Sequence, residues 1–527
     1  MWFIYVGVLC LLSVWYYIRT YRVWSRRGVK QTIPWPFFGD SGITVFQLMS
    51  VPEILNKIYY MYPKTRYTGF YQFQEALLLL KDPELIKQIT IKDFDHFTDH
   101  RTVGSSDEID PLFNKNLFFL KGQTWKDMRS LLSGSFTSSK MKIMYNLIVE
   151  ASENFVDYFC SKNEDLVEVE FKDIFSKYTN DVIASTSFGI KVDSLREPKN
   201  EFYAMGKKMT NFNTFRSLIG FLLYMAVPTI AKLLKIKILA KDASDFFINI
   251  IDQAIRMREE NHVVRKDMIN IMLEEREGKA RQDDEEVIDS GFAIVEESQN
   301  ITKHPKKQMN LTNLDITAHA MIFFLAGFDT VSTAICNCCY ELAINPDIQD
   351  KLRNEIKKTM KEHNEKLTYE STLRMKYLDM VITETLRKYP GLSATERVCV
   401  KPYTIEPVYP DEQPVHLNVG DIVFLPPYSL HHDPKYFADP EKFIPERFSD
   451  DNKTLINKYT YMPFGIGPRA CIGSRFALLE MKTLLIQLVN KFEIVPVQKT
   501  KIPMELCRST MSVMSKDGYY AAFKLLK

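Results

Sequence analysis

The stretch from Leu314 to Ile344 contains no proline and is apolar almost throughout. As one α-helix it would be about 45 Å long at 1.5 Å per residue, enough to cross the core of a domain. Its middle reads Ala326, Gly327, Phe328, Asp329, Thr330. An aspartate and a threonine are costly to bury unless they have a partner or a chemical task. The pattern therefore predicts a long core helix with a polar site at its centre.

A second segment, Phe464 to Gly473, is a glycine- and proline-rich loop that contains Cys471 and precedes an apolar helical stretch, Ser474 to Asn490. Backbone N–H groups in such a loop, and the positive end of the following helix, favour a thiolate over a thiol. The thiolate is the form in which cysteine binds a soft metal. Arg469 adds a permanent cation where a cofactor carboxylate could lie. A lone cysteine before a core helix is usually a packing residue, so the metal hypothesis depends on these neighbours.

The spacing of this loop resembles the haem-binding loop of the cytochrome P-450 monooxygenases, in which the cysteine is the axial thiolate of haem iron. The residues that carry the resemblance are Phe464, Gly467, Arg469, Cys471 and Gly473. It extends over nearly the whole chain, and details such as Asp93 to Phe97 are most similar to insect microsomal members of the xenobiotic-metabolising clan. The resemblance implies a mainly α fold with small β-sheets, and a haem cofactor with Cys471 as its metal ligand.

The family's oxygen-activation segment matches the polar centre of the long predicted helix. By that resemblance, Ala326 and Gly327 leave room for dioxygen, Thr330 holds a water and Asp329 takes part in a proton relay. The alternative is a helix kink without chemistry, because a threonine hydroxyl can also bond a carbonyl of its own helix.

The resemblance also implies a set of side chains that hold the haem. The donors to its carboxylates would be Trp125, Arg129, Arg397 and Arg469, with Phe464 and Gly467 completing the cofactor-binding set. Charge-assisted hydrogen bonds are the physical basis of this assignment. Either His100 or Arg101 is a further donor, and the sequence leaves that choice open.

A buried ion network is predicted on the cysteine side of the core. Glu384 and Arg387 are three residues apart in a largely apolar helical stretch, so the pair needs further partners if it is buried. The segment Pro445 to Phe448 supplies Arg447. The resemblance implies a structural triad of Glu384, Arg387 and Arg447 without a catalytic role.

The N-terminal region predicts a membrane anchor. Trp2 to Ile18 carries no charge and is followed by basic residues, whereas a cleaved signal peptide has its charges before the apolar run. The predicted divisions are an anchor over 1–20, a basic, proline-rich hinge over 21–40, and a single haem-binding monooxygenase domain over 41–527. The positive charges predict a transmembrane helix with the catalytic domain in the cytosol, which fits the endoplasmic reticulum membrane.

The remaining pattern is mostly helical from Asp82 to Tyr389, with a β-hairpin at Tyr67 to Leu80 and a C-terminal strand at Tyr519 to Leu525. The absence of βαβ alternation excludes a doubly wound fold. The formal net charge of +2 gives no reason to expect a nucleic-acid partner. Three of the eight cysteines, at 336, 338 and 339, lie within an apolar helical run and are predicted to be buried thiols.

The chain lacks a complete dinucleotide-binding fingerprint, because the pair Gly465 and Gly467 has neither the third glycine nor the preceding strand. Electrons must then come from another protein. The resemblance implies the NADPH–cytochrome P-450 reductase, with cytochrome b5 as a second candidate. The predicted docking face comprises Lys121, Lys126, Lys140 and Lys142. Two other functions stay open: a haem-thiolate peroxide isomerase or dehydratase, and a non-catalytic haem- or ligand-binding membrane protein.

A lipophilic substrate is predicted to bind an apolar, aromatic pocket. The lining residues would come from the 101–120 loop with Phe113, Phe118 and Phe119, the 210–230 region, Leu325, Leu392, Ser393 and the 508–513 segment. Ser217 to Ile230 is too short to span a bilayer, and is either a buried helix or, as in the family, a segment that dips into the membrane. Plant toxins and insecticides suit such a pocket, as do hormones and fatty acids.

Overall fold

The computed structural model describes residues 2–102, 109–210, 215–261, 265, 267–277, 292–293 and 310–527. Its α-helices, numbered along the chain, are α1 Trp2–Thr20, α2 Val23–Arg26, α3 Gly42–Val45, α4 Val51–Met61, α5 Pro83–Lys87, α6 Pro111–Asn114, α7 Gly122–Ser133, α8 Ser138–Cys160, α9 Phe171–Ile183, α10 Glu201–Thr210, α11 Phe215–Ala226, α12 Pro228–Leu233, α13 Lys241–Asn261, α14 Met268–Arg276, α15 Asn313–Ile344, α16 Pro346–Glu362, α17 Tyr369–Arg374, α18 Lys376–Lys388, α19 Pro427–His431 and α20 Ser474–Lys491. Its strands are β1 Tyr67–Gln72, β2 Glu75–Leu80, β3 Leu166–Glu170, β4 Thr395–Val398, β5 Tyr403–Ile405, β6 Val415–Leu417, β7 Ile422–Leu425, β8 Phe492–Pro496 and β9 Tyr520–Leu525.

The strands form small sheets at the edges of the helical body. The first has the order β1-β2-β7-β4, in which β2 and β7 are parallel and the other pairs antiparallel. The second has the antiparallel order β3-β9-β8, and the third is the pair β5-β6. The predicted hairpin and C-terminal strand are confirmed as β1-β2 and β9.

Helix α15 is the long core helix that the sequence predicts, and it begins one residue earlier, at Asn313. The Thr312 hydroxyl accepts a hydrogen bond from the backbone N–H of Asp315, and the Asp315 carboxylate accepts one from the N–H of Thr312, which forms a capping box. By length and apolar composition, α15 is the one helix of the described residues that could cross a membrane. It lies inside the core, so its apolar character reflects packing.

Two apolar clusters meet along α15. Its first part, from Ile316 to Phe328, packs with α13 and α14, and its second part, from Val331 to Ala343, packs with α8, α18 and α20. Asp329 and Thr330 lie where one cluster gives way to the other. The three cysteines of α15 are buried in the second cluster.

Part of the predicted hinge packs against the first sheet. Tyr21, Trp24 and Val29 are buried with the residues of that sheet. A Cβ atom at Gly69 of β1 would lie only 2.5 Å from the Trp24 indole, so glycine makes room for this ring. The folded body therefore begins close to Tyr21.

A buried ion network lies in the core, where Glu384 and Arg387 of α18 contact Arg447. Arg387 Nε donates to Glu384 Oε2 at 2.7 Å, and Arg447 Nε donates to Glu384 Oε1 at 3.3 Å. The Glu384 and Arg387 side chains are fully buried. Arg387 also donates to the carbonyl oxygens of His431 and Pro440. These additional bonds satisfy the buried charges and fix the segment that leads to the cysteine loop.

Candidate active site around Cys471

The cysteine loop is shaped by two glycines with left-handed backbone conformations. Gly465 has φ +76° and Gly467 has φ +71°. A Cβ atom at Gly467 would lie 2.2 Å from the carbonyl oxygen of Thr90, so no other residue fits there. The backbone N–H of Cys471 donates to the carbonyl oxygen of Phe464 at 2.8 Å and closes the loop. Phe464 therefore supports the loop through its backbone carbonyl, in addition to the packing of its ring against the core.

The Cys471 side chain is accessible although protein surrounds it closely, so we infer that it faces a cavity inside the fold. Burial raises the pKa of the Cys471 thiol, whereas the backbone N–H of Gly473 and the charge of Arg129 lower it. The groups that favour the thiolate are therefore present. In the protein alone, however, the effect of burial is larger and the net pKa of Cys471 is raised, which the sequence did not predict. A metal cation on the sulfur would reverse that balance, because a coordinating thiol is deprotonated.

The middle of α15 forms another wall of the site. Ala326 is exposed although it lies in the centre of a core helix. A Cβ atom at Gly473, two residues after the cysteine, would lie 4.0 Å from the Phe136 ring, and this ring lies 5.5 Å from that of Phe323 on α15. Because one aromatic pair connects the two segments, we infer that Cys471 and Ala326 face the same cavity.

Hydroxyl groups satisfy several carbonyl oxygens at the polar centre of α15. Thr330 Oγ1 donates to the carbonyl oxygen of Ala326 at 2.5 Å, and Thr179 of α9 donates to that of Phe328 at 3.0 Å. The helix runs through this region without a break. A Cβ atom at Gly327 would lie 2.9 Å from Ile183 Cδ1, so this glycine lets α9 approach α15.

Asp329 is held by a lysine of α9. Lys172 Nζ donates to Asp329 Oδ1 at 2.8 Å and to the Asp329 carbonyl oxygen at 3.0 Å. The hydroxyl oxygens of Ser332 and Thr333 also lie within 2.7 and 2.8 Å of Lys172 Nζ, whose three N–H groups are shared among these acceptors. The Asp329 carboxylate therefore points toward α9, with 41% of its side chain exposed.

A group of cations surrounds Trp125 and Arg469. The guanidinium carbon of Arg469 lies 3.9 Å from the centre of the Trp125 ring, and Arg469 donates to the carbonyl oxygens of Thr98 and Leu120 at 2.7 Å each. Burial and the nearby charges of Arg397 and Arg129 lower the pKa of Arg469 to about 8. Such crowding of buried cations favours an anionic ligand.

Arg397 extends this group, and His100 lies beside it. Arg397 is buried, its Nε has no hydrogen-bond partner in the described part of the chain, and burial lowers its pKa to about 10. His100 Nδ1 lies 3.3 Å from Glu396 Oε1, next to Arg397. Arg101 instead donates to Gln72 at the hairpin. The structure therefore places His100, and not Arg101, with these cations.

The donor set fits a haem. Cys471 offers a sulfur ligand at the cavity, and Ala326 leaves open space on another wall. The cations Arg129, Arg397 and Arg469 would meet the two carboxylates of the group, and the unpartnered Nε of Arg397 is a donor without an acceptor.

Comparisons with known proteins agree with this geometry. Residues 30–523 match the family model described as Cytochrome P450. The chain belongs to the cytochrome P450 family. It is 41% identical to Cytochrome P450 9e2 of Blattella germanica, over 99% of this chain and 97% of that protein. It is 38% identical to Probable cytochrome P450 9f2 of Drosophila melanogaster (94% and 93% covered) and 35% identical to Cytochrome P450 6k1 of Blattella germanica (98% and 96% covered).

These matches confirm the predicted family and its insect members. The protein is a cytochrome P450 monooxygenase, an oxidoreductase with a haem-thiolate iron cofactor, and electron supply through an NADPH reductase is typical of its family. The helix-rich P450 fold with small sheets is confirmed as well.

The predicted substrate residues of this P450 differ in exposure. Leu325 is half-buried on α15, Leu392 is exposed, and Ser393 is fully buried with its hydroxyl unpartnered among the described residues. The Phe113 and Phe119 rings are 4.5 Å apart. Parts of the predicted 101–120 and 210–230 segments, residues 103–108 and 211–214, lie outside the described residues.

Sequence reasoning missed two polar residues of this P450. Lys172 lies 157 positions before Asp329, so no local pattern connects the two residues. His319 lies on α15 itself, and its spacing of seven from Ala326 and eleven from Thr330 was a signal that could have placed it on their face.

Proposed function

We propose that this P450 is a membrane-bound enzyme of the endoplasmic reticulum that inserts one oxygen atom of O2 into lipophilic substrates, including xenobiotics such as plant toxins or insecticides. The accessibility of Cys471 and Ala326 inside the fold, from which we infer a shared cavity, supports this proposal. Its neighbouring side chains, Phe136, Phe323 and Leu325, are apolar, so the cavity favours an apolar substrate.

The roles of the cofactor-binding residues follow from their chemistry. When bound, the haem supplies the activation of dioxygen and the transfer of an oxygen atom to the substrate. Cys471 would hold the iron through its thiolate, and the cations beside Trp125, including Arg129, Arg397 and Arg469, would hold the carboxylates. His100 would lie at the same edge, with its Nδ1 directed at Glu396.

Asp329 and Thr330 would transfer protons from solvent to the cavity. The Thr330 hydroxyl donates its proton to the Ala326 carbonyl oxygen, which leaves the lone pairs of Oγ1 to accept from a water. The partly exposed Asp329 carboxylate can exchange protons with solvent while Lys172 fixes its position. We propose that protons enter at the Asp329 carboxylate and reach the water held by Thr330.

Membrane attachment would combine α1 with apolar surface elsewhere. The basic residues Arg19, Arg22, Arg26, Arg27 and Lys30 follow the apolar stretch. Ile33 is 88% exposed and Leu233 of α12 is 80% exposed, which is unusual for large apolar side chains on a water-facing surface. Both sites would contact the cytosolic leaflet.

The proposed docking face for the reductase, with cytochrome b5 as the second candidate, comprises Lys121 just before α7 and the predicted lysines on α7 and α8. Lys126 pairs with Asp95 at 2.9 Å, and Lys142 pairs with Glu370 at 2.6 Å. Exposed pairs contribute only about 0–1 kcal/mol, so carboxylates of a partner protein can replace these intramolecular ones. Reversing the charges of Lys121 and Lys142 should slow turnover driven by the reductase and leave hydroperoxide-driven turnover unchanged. If the variant and the wild type turn over at equal rates in the reductase assay as well as in the hydroperoxide assay, the docking face is contradicted.

The direct test is reconstitution with the NADPH reductase and a panel of lipophilic compounds under ¹⁸O-labelled dioxygen. The proposal expects a product that contains one ¹⁸O atom and forms only with NADPH. Rearrangement or dehydration of a lipid hydroperoxide itself, with no oxygen atom transferred to a second compound, would instead indicate the isomerase or dehydratase. Ligand binding without any turnover would indicate a carrier or sensor.

A further inference from the structure

The segment 505–516 folds back on itself just before the last strand, and we call it the C-terminal hairpin. The backbone N–H of Cys507 donates to the carbonyl oxygen of Met514 at 2.8 Å, and that of Lys516 donates to the carbonyl oxygen of Glu505 at 2.9 Å. Contacts with other elements fix the position of this hairpin at two places, its base and its turn.

The base of the hairpin is joined to α15 by a buried group of hydrogen bonds. The Tyr519 hydroxyl donates to Asn337 Oδ1 at 2.7 Å and accepts from the backbone N–H of Ser515 at 2.9 Å. Asn337 Nδ2 donates to the carbonyl oxygen of Val513 at 3.1 Å. All four residues are at most 6% exposed. Because buried polar groups need partners, these bonds hold the hairpin in one position relative to α15.

The turn of the hairpin contacts the segment between α18 and β4. The backbone N–H of Ser393 donates to the carbonyl oxygen of Met511 at 3.2 Å, and Met511 is half-buried. Beside Ser393, Leu392 is 45% exposed, and a Cβ atom at Gly391 would have no neighbour within 4 Å among the described residues. The turn therefore lies next to open space.

Both places lead to walls of the inferred cavity. Asn337 follows Ala326 by eleven residues, or about three helical turns, so the two residues lie on the same face of α15. On the other side, β4 begins two residues after Ser393, and its Arg397 donates from Nη2 to the carbonyl oxygen of Ile466 in the cysteine loop at 3.4 Å. The hairpin thus connects the cavity face of α15 with the strand that contacts the cysteine loop.

We propose that Asn337 and Tyr519 are positioning residues that set the depth of the substrate cavity, because they hold the turn of the C-terminal hairpin, with Met511, against it. Neither residue touches the substrate, and both act through the hairpin. Without their bonds the turn can shift, and the length of the apolar chain that the cavity accepts changes. The inference rests on the proposed function, since it takes the cavity to bind a lipophilic substrate.

The test measures the depth of the cavity with 1-alkylimidazoles in the haem-loaded enzyme. The imidazole nitrogen binds the haem iron and fixes one end of the probe, and the alkyl chain is lengthened by one methylene at a time. Affinity is measured by titrating the haem absorption band. In the wild type, each added methylene should tighten binding about fourfold until the chain meets the turn, where the series breaks.

Two variants remove the bonds at the base of the hairpin. Tyr519→Phe keeps the ring and removes both bonds of the hydroxyl, and Asn337→Leu removes the amide. In each, the break should move by at least one methylene, so that the ratio of affinities of the two homologues at the break changes about fourfold. Tyr340→Phe is the matched control, because Tyr340 lies on the same helix and donates to the carbonyl oxygen of Lys501 at 3.0 Å, outside the hairpin. Its break should stay at the wild-type length.

A break at the wild-type length in both Tyr519→Phe and Asn337→Leu would overturn the proposal. An equal loss of affinity for all homologues would overturn it as well, because such a loss indicates general destabilisation. Met511→Trp tests the turn directly and decides the matter if the other variants take up no haem. Its larger side chain should move the break to a shorter chain, and an unchanged break would overturn the proposal.

The two hypotheses fail in different ways. The alkylimidazole series is measured without NADPH and without turnover, so it reports only the depth of the cavity. Absence of NADPH-dependent oxygen insertion would contradict the proposed function and would leave the position of the break as measured.

Discussion

Single residues determine the shape of the cysteine loop. Gly467 approaches Thr90, which belongs to a π-helical turn, Gln88–Lys92. A second π-helical turn, Ala184–Phe188, directly follows Ile183, the residue that contacts Gly327. Such turns often occur at functional sites, and here each one positions a backbone or side chain against a glycine of the site.

We expect Gly467→Ala to lose most of its haem. The new Cβ atom would meet the carbonyl oxygen of Thr90 at 2.2 Å, and a backbone atom cannot move aside as a flexible side chain can. Gly465→Ala is the matched control, because it also has a positive φ but its Cβ atom would lie 3.7 Å from its nearest neighbour. Left-handed strain alone costs about 1–2 kcal/mol.

The measurement is the ratio of haem to protein absorbance, together with the spectrum of the reduced, carbon-monoxide-bound protein. Gly465→Ala should keep the red-shifted band of a thiolate ligand, and Gly467→Ala should lose it. Equal haem content in the two variants would show that the contact with Thr90 does not matter.

The buried His319 also predicts a pH dependence of stability. Its pKa is about 4 in the folded protein and 6.5 in the unfolded chain, so below pH 6.5 the unfolded chain binds a proton that the folded protein does not. The free energy of unfolding should therefore decrease as the pH is lowered, by about 1.4 kcal/mol from pH 7.5 to pH 5.5 for this residue alone. Urea unfolding at both pH values should show a smaller fall in His319→Phe than in the wild type. A fall of the same size in both proteins would contradict the prediction.

At the scale of helices, α9 and α15 are joined by more than apolar contacts. Lys172 and Thr179 of α9 donate hydrogen bonds into α15 at Asp329 and Phe328. These bonds lie at the boundary between the two apolar clusters. Helix α9 thereby fixes the part of α15 that carries the proposed proton path.

Lys172→Met should lower the amount of product formed per NADPH consumed by several-fold. The substitution removes the ammonium that holds the Asp329 carboxylate, while the chain length is kept. Stability should change by no more than about 1 kcal/mol from the ion pair, because Asp329 is partly exposed. Lys177→Met, which breaks a pair with Asp173 on the same helix, is the control. Unchanged coupling in Lys172→Met would separate Lys172 from the proton path.

The sequence predicted elements whose pattern is local. The long apolar stretch became α15, and Ser474 to Asn490 became α20 with one residue more. It could not predict contacts between distant segments, such as that of Lys172 with Asp329 or of Trp24 with Gly69. It also left open the choice between His100 and Arg101, because the two residues are adjacent in the sequence, both can donate hydrogen bonds, and only the course of the chain separates them.

At the scale of the whole molecule, the N-terminal region contributes to the folded body as well as to the proposed anchor. Tyr21, Trp24 and Val29 are buried against the first sheet, whose strands β4 and β7 lead to Arg397 and its neighbours. The folded body therefore includes Tyr21, and the proposed anchor would end before this residue. The predicted hinge over 21–40 is in part a structural element of that sheet.

This boundary predicts different outcomes for two N-terminal deletions. Removing residues 2–20 should release much of the enzyme from microsomal membranes after an alkaline wash and leave haem content nearly unchanged. Removing residues 2–30 should also lower the free energy of unfolding by several kcal/mol, because burying each large apolar side chain contributes about 1.5–3 kcal/mol. Sedimentation of the membranes and thermal unfolding of the haem-bound protein measure the two effects. If removal of residues 2–20 destabilises the protein as much as removal of residues 2–30, α1 itself supports the fold. If the protein that lacks residues 2–20 stays completely on the membrane, attachment is due to the exposed apolar surface around Ile33 and Leu233.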